Sequence, residues 1–283
     1  MQTDDVTPFF TQKNRRSSQT NSTHTSITSI RVDEGIRYVR IAPPSDGWVE
    51  ALNSSKVRIS LCEYTKIKLL EKRDGRIFFY LLDGNSGHVG EILSMKESGA
   101  IEHFFRGQRS GGITIKIQNF SFEEYVYSVQ RNNEELIQCS GELKYENLII
   151  PITLSTRHLV GHYKNNPLPV GTYNIMAPDY PHSGEYSRFY RQDQKNGQFD
   201  LVWFPIEFEE NTRYLHMGHI SDGCVTVTNI NNWESLYHKI IHCRSDGNIT
   251  DTPGGGKYIG KLIVLKDANQ KPSNRKPHPL SSY

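Results

Sequence analysis

The chain has 283 residues, 36% of them hydrophobic and 23% charged, which is enough apolar material for a core with polar segments left over. Its formal net charge is +2, so it lacks the basic excess of a polyanion binder, and nucleic acid is not expected as a partner. No apolar run is long enough to cross a membrane, so no integral membrane segment is expected.

The N-terminus, Met1-Gln2-Thr3-Asp4-Asp5, is acidic and lacks an apolar signal-peptide core, so synthesis in the cytoplasm without a signal peptide is expected. Residues 1–30 are rich in Ser, Thr, Asn and Gln without apolar periodicity and are expected to be disordered. Residues 31–98 predict a small β domain of short alternating strands. Its candidates are Ile36–Ile41, Gly47–Glu50, Lys56–Ile59, Lys66–Leu69 and Ile77–Tyr80, with Asp74-Gly75 as a hairpin turn. The spacing suits a small barrel or sandwich of SH3-like kind. Residues 97–111, ending in Ser110-Gly111-Gly112, read as a linker.

Strands resume at Ile113–Ile117, Tyr125–Val129 and Leu136–Leu143, and again at Val170–Ile175 after a Pro-rich turn. Leu201–Phe208 is apolar throughout, as a buried strand would be. Arg213–Leu215 predicts a strand ending at His216, and Val225–Thr228 another, with Ser221-Asp222-Gly223 as the turn before it. Trp233, Leu236, Tyr237, Ile240 and Ile241 recur at helical spacing, with Asn231 or Asn232 placed to cap the helix. Thr252–Tyr258 is a glycine-rich turn without the context of a phosphate loop. Tyr258–Leu265 is a last strand, and 267–283 a disordered tail.

The chemistry concentrates between Tyr214 and Val227. Cys224 stands where a turn enters a strand, Gly223 gives it steric room, and His216 ends the preceding strand. A thiol nucleophile, a base to take its proton, and small residues that open backbone N–H groups to a carbonyl are what thiol acyl transfer requires. Cys62, Cys139 and Cys243 are scattered, form no Cys-x-x-Cys pair and read as packing. His216 and His219 lack a third ligand, so no metal is expected, and no cofactor motif is present. In the loop after Ile175, Tyr180, His182 and Tyr186 are placed to line a cleft.

Ser221-Asp222-Gly223-Cys224-Val225-Thr226-Val227 resembles the Ser/Thr-His-Gly-Cys-Ile/Val-Arg signature of the L,D-transpeptidases, the YkuD-type family. Upstream, Asn166–Ile175 resembles that family's Thr-Pro-x-Gly-x-Phe/Tyr-x-Ile segment, and His216-Met217-Gly218 falls between the two in the family's order. Asp222 stands where the family has its second His, Thr226 where it has Arg, and the His216-to-Cys224 spacing is short, as in phage-associated and secreted-effector branches.

The resemblance implies a transpeptidase-like β-sandwich or barrel with a short helix over 112–266. It implies a cysteine acyltransferase on peptidoglycan stem peptides, working by transpeptidation, D-amino-acid exchange or L,D-carboxypeptidation. Cys224 would be the nucleophile, and His216 or His219 the base. Ser221 would orient the His, and the N–H groups of Gly223 and Cys224 would hold the oxyanion. Tyr173, Tyr214, Tyr180 and Tyr186 would wall the cleft. It further implies work in the periplasm or at the cell wall after non-classical export, as a secreted antibacterial effector whose further partners are a secretion machine or an immunity protein. Two other readings stand beside it: a β protein that binds glycan or a partner around an inert Cys224, and a thiol peptidase for ordinary L,L peptides.

Overall fold

The computed structural model of the chain describes residues 30–31, 35–128, 134–162, 164–187, 198–210, 213–245, 257–265 and 278–280. The protein is mainly β, with 46% of it in strands and only short helices, and its described strands fall into two sheets.

The first sheet holds β1 (Ile30–Arg31), β2 (Ile36–Val39), β3 (Trp48–Leu52), β4 (Arg58–Cys62), β5 (Lys66–Arg73), β6 (Arg76–Leu81), β7 (Ile92–Lys96) and β8 (Phe104–Phe105). They run in the order β4-β3-β7-β6-β5-β2-β8, with β1 on β5. Period-two patterning builds it: on β6, Ile77, Phe79 and Leu81 turn inward while Arg76, Phe78 and Tyr80 do not. The Asp74-Gly75 turn pairs Arg73 with Arg76, and both turn residues have positive φ (51° and 68°), as a two-residue hairpin of this twist requires.

The expected linker contains more than a connection. Helix α1 (Glu97–His103) buries Ala100, and β8 pairs with β2 through Tyr38 and Phe105. Phe104 is buried edge-on against Phe79, with ring centroids 4.9 Å apart, and that apolar anchor draws the segment into the sheet.

The second sheet holds β9 (Ile113–Ser128), β10 (Glu134–Tyr145), β11 (Leu148–His158), β12 (Gly171–Met176), β13 (Phe204–Ile206), β14 (Arg213–Met217), β15 (Val225–Val227), β16 (Tyr258–Val264) and β17 (His278–Leu280). Because β9 pairs with both β16 and β10, the circuit β9-β10-β11-β15-β14-β13-β12-β16 closes on itself, and β17 lies along the far half of β9. Strand β11 has no counterpart in the sequence reading. Pro151 and the hydroxyls of Thr153, Ser155 and Thr156 break its apolar pattern, yet Thr153 and Ser155 donate to the carbonyls of Cys139 and Asn165, so they are buried at little cost.

A short helix, α2 (Gly184–Ser187), follows β12. After β15 a 3₁₀ turn, Ile230–Asn232, leads into α3 (Trp233–His242), whose Trp233, Leu236, Tyr237, Ile240 and Ile241 are all buried as the spacing predicts. Asn232 sits at the N-cap but makes no side-chain capping bond, the 3₁₀ turn serving as the entry instead.

The two sheets share one continuous hydrophobic core. Trp48 Nε1 donates to the Leu201 carbonyl at 3.2 Å and Phe199 N to the Ser45 carbonyl at 2.8 Å. Beside these lies a buried charge cluster: Arg244 and Arg109 converge on opposite oxygens of Asp83, at 3.0 and 2.6 Å. Residues 1–29 of the expected N-terminal segment, the glycine-rich turn 252–256 and most of the tail lie outside the described residues; His278–Leu280 of the tail is a strand.

Candidate active site

Strands β14 and β15 pair in parallel, His216 opposite Thr226 and Leu215 opposite Val225. Cys224 immediately precedes β15, and Gly223 before it has φ of +94°. A Cβ at Gly223 would lie 3.0 Å from the Arg213 guanidinium and from Asn165, so glycine is required here both for conformation and for space. The turn is clamped from two sides. Ser221 N donates to Thr156 Oγ1 at 3.1 Å, and Ser221 Oγ donates to the Cys224 carbonyl at 2.8 Å. The Ser221 hydroxyl is thus spent on the Cys224 backbone and not on a histidine.

The Cys224 thiol is buried, accepts from the Tyr214 amide and lies beside Arg213. Burial pushes it up to about 11; the Tyr214 amide and Arg213 oppose that rise, and Asp222 adds to it. Asp222 is exposed and pairs with Lys164 at 3.3 Å.

His216 is fully enclosed. Its Nδ1 lies 2.7 Å from the Met217 carbonyl, which can only accept, so Nδ1 carries the proton. Nε2 is then the basic nitrogen, and it receives the Thr226 hydroxyl at 3.1 Å. The ring stacks on Trp203, centroids 3.6 Å apart and 8° from parallel, and His182 stacks on the other face of Trp203 at 3.6 Å and 9°. Burial pushes the His216 imidazole down to about 3; the Met217 carbonyl works the other way, and His182 adds to the fall. Cys224 and His216 are not hydrogen-bonded to one another. Thr226, two residues beyond Cys224, holds the imidazole on β15.

His219 is also buried, and burial lowers its imidazole to about 4. Its carbonyl accepts from Gln138 Nε2 at 2.6 Å, tying it to β10. Of the two histidines, His216 is the one tied through Thr226 to the strand that follows the thiol.

The four tyrosines divide. Tyr214 adjoins the thiol, and its hydroxyl titrates high through burial, then through Tyr180 and Cys224. Tyr180 and Tyr186 are exposed, and Tyr186 meets His182 edge-on at 5.6 Å. Tyr214 and Tyr186 gather round Trp203 and His182. Tyr173 lies on the other flank: its hydroxyl donates to the Pro169 carbonyl at 2.7 Å, and its ring abuts Phe208 at 5.6 Å. Phe208 in turn lies 5.7 Å beneath the Arg213 guanidinium. Tyr214 and Arg213, consecutive on β14, are both close enough to act on the thiol.

Two of these neighbours escape the sequence reading. Trp203 sits in the apolar run Leu201–Phe208, read as one buried strand; only Phe204–Ile206 is a strand, and Trp203 is half-buried among the site aromatics. Arg213 opens β14 with no local signal, because its meaning comes from the neighbouring strand. Among the described residues no group of three or more His, Cys, Asp or Glu is placed to hold a metal, and no helix is long and apolar enough to cross a membrane. A groove of about 540 Å³ on the first sheet, lined by Ile41, Trp48, Met95 and His103 among others, contains none of the site residues. No protein-family model, curated protein or solved structure matches the chain.

Proposed function

We propose that the protein is a cysteine acyltransferase acting on peptidoglycan stem peptides, with an L,D-transpeptidase-like catalytic unit built on the second sheet and the first sheet as an SH3-like accessory. The observation that carries the proposal is the tautomer of His216. Its basic Nε2 accepts from Thr226 of β15, two residues beyond Cys224, while Trp203 and the Met217 carbonyl fix the ring. A general base needs that orientation before it needs any particular pKa.

In this reading Cys224 Sγ attacks the carbonyl carbon of the stem residue before the terminal D-alanine, and its proton passes to His216 Nε2 by way of the Thr226 hydroxyl that donates to that nitrogen. The N–H groups of Gly223 and Cys224 hold the oxyanion. Collapse breaks the C–N bond, and the imidazolium gives its proton to the departing amine. The thioester then passes to an amine, a D-amino acid or water. Thiol and imidazole both rest neutral, their proton affinities pushed apart by burial, so proton transfer accompanies attack and no ion pair waits in the resting site. A stem-peptide substrate puts the place of action at the periplasm or cell wall, reached by a secretion machine, and an effector role brings an immunity protein as partner.

The same burial supports a second reading, a cell-wall or partner-binding β protein with an inert Cys224. Mass spectrometry of disaccharide-tetrapeptide incubated with the wild type and with Cys224→Ala separates them. Release of D-alanine or formation of a cross-linked dimer by the wild type alone is the expected result. A folded wild type with no turnover, and no reaction of Cys224 with a neutral alkylating reagent, would favour the binding protein.

A further inference from the structure

Arg213 is the site's unexplained charge. Its side chain is only 8% exposed, yet its one ion pair among the described residues is a 3.9 Å contact with Glu209, whose own side chain is 67% exposed. Nε has no hydrogen-bond partner among the described residues. The guanidinium reaches within 3.0 Å of where a Gly223 Cβ would be, and its charge acts on the Cys224 thiol. A buried guanidinium this poorly compensated is unfavourable unless an anion completes it.

We infer that Arg213 is the carboxylate-binding residue of the Cys224 site and selects acyl donors that carry a carboxylate close to the scissile carbonyl. The inference rests on Cys224 being the nucleophile. A planar guanidinium matches a carboxylate through two parallel N–H bonds, and with Nε packed against Gly223 the Nη pair presents that edge. The surroundings argue for a single negative charge and against a phosphate. Asp222 raises the thiol's proton affinity from one side and Glu209 adjoins the guanidinium from the other, so the net positive potential is small. Phe208 under the guanidinium keeps that face apolar. A peptide whose chain ends one residue beyond the attacked carbonyl presents such a carboxylate; a peptide continuing past that point does not.

The test compares two alkylating reagents of nearly the same shape, iodoacetate with a carboxylate and iodoacetamide without one. Rates at Cys224 in the full chain are read by peptide mapping and expressed as the iodoacetate-to-iodoacetamide ratio, with free cysteine at the same pH as reference. The wild-type ratio is expected to exceed that of free cysteine about tenfold, as one charge-assisted hydrogen bond implies. Arg213→Gln should return it to the reference, and Arg213→Lys should keep part of it. A wild-type ratio equal to that of free cysteine overturns the inference. So does a fall of both rates together in Arg213→Gln, or a thiol that neither reagent reaches. Should Arg213→Gln fail to fold, the wild-type ratio decides alone. The outcome is independent of the transpeptidase reading: iodoacetate preference without D-alanine release leaves Arg213 as an anion site and removes only the proposed substrate.

Discussion

Among the described residues the protein buries arginines both at the junction of its sheets and beside Cys224, and it treats these two sets in opposite ways. At the junction of the sheets, Arg244 donates to Asp83, Thr65, the Glu63 carbonyl and the Cys62 sulfur, and Arg109 reaches Asp83, the Tyr64 carbonyl and the Ser245 carbonyl. Beside Cys224, Arg213 has, among the described residues, one long ion-pair contact with an exposed carboxylate. Burial of charge costs free energy in both places. At the junction the chain supplies the compensation itself, and the cluster serves the fold. At the thiol the described residues supply little compensation, and groups left in that state are characteristic of sites that receive something.

The sharpest way to break this contrast is Asp83→Ala. It strips the shared carboxylate from two buried guanidiniums at once, and the expected loss is about 3–5 kcal/mol of stability, as for removal of one partner of a buried pair. Urea denaturation measures it. A loss below about 1 kcal/mol, the scale of an exposed pair, would mean that water reaches the junction and that the two regions do not differ in kind.

Next in size is the pH dependence carried by His216. Unfolded, the imidazole binds its proton near 6.5; folded, burial holds that off until about 3, and His219 behaves alike with about 4. The unfolded chain thus holds more protons throughout that window, so stability falls as the pH drops through it and levels off below. His216 alone should cost about 2 kcal/mol between pH 8 and pH 5. The check is the slope of unfolding free energy against pH, which His216→Gln should flatten in part. An unchanged slope would place the ring in contact with water.

Gly223→Ala should cost about 1–2 kcal/mol for a left-handed φ with a side chain, plus the displacement of Arg213 or Asn165. Thermal unfolding reads the stability. Alkylation of Cys224 by iodoacetamide should slow further than the stability loss explains, because the turn that presents the thiol is the part that moves.

What the sequence reveals of these regions follows from range. Period-two strands such as β6, the Asp74-Gly75 hairpin and the helical spacing from Trp233 to Ile241 are local patterns, and they are legible. So are the two segments that become β14 and β15, but not their parallel pairing, and no hydrogen bond joins His216 to Cys224. The pairing partners are not legible. Thr226 looks like an ordinary strand residue until the parallel register sets it against His216, and Arg213 looks like a strand-opening charge until Gly223 is folded against it. Trp203 hides in an apolar run because hydrophobic continuity cannot distinguish a core residue from a ring that orders a site. Phe104 was masked by the polar residues around it and by the glycines that follow.

The smallest expected effect bears on Ser221. Its hydroxyl lies 2.8 Å from the Cys224 carbonyl, and its amide is held by Thr156. Ser221→Ala removes the first bond and keeps the second, so the loss should be about 1 kcal/mol, the net value of one hydrogen bond. If Ser221 serves only the turn, NMR titration of His216 should be unmoved, since the imidazole is held by Met217, Thr226 and Trp203. Alkylation of Cys224 should change no more than the turn's loosening requires. A shift in the His216 titration on Ser221→Ala would show that the hydroxyl reaches the imidazole in solution. That would restore to Ser221 the orienting role that the resemblance implied, and it would join the turn and the base into one unit instead of two neighbours on parallel strands.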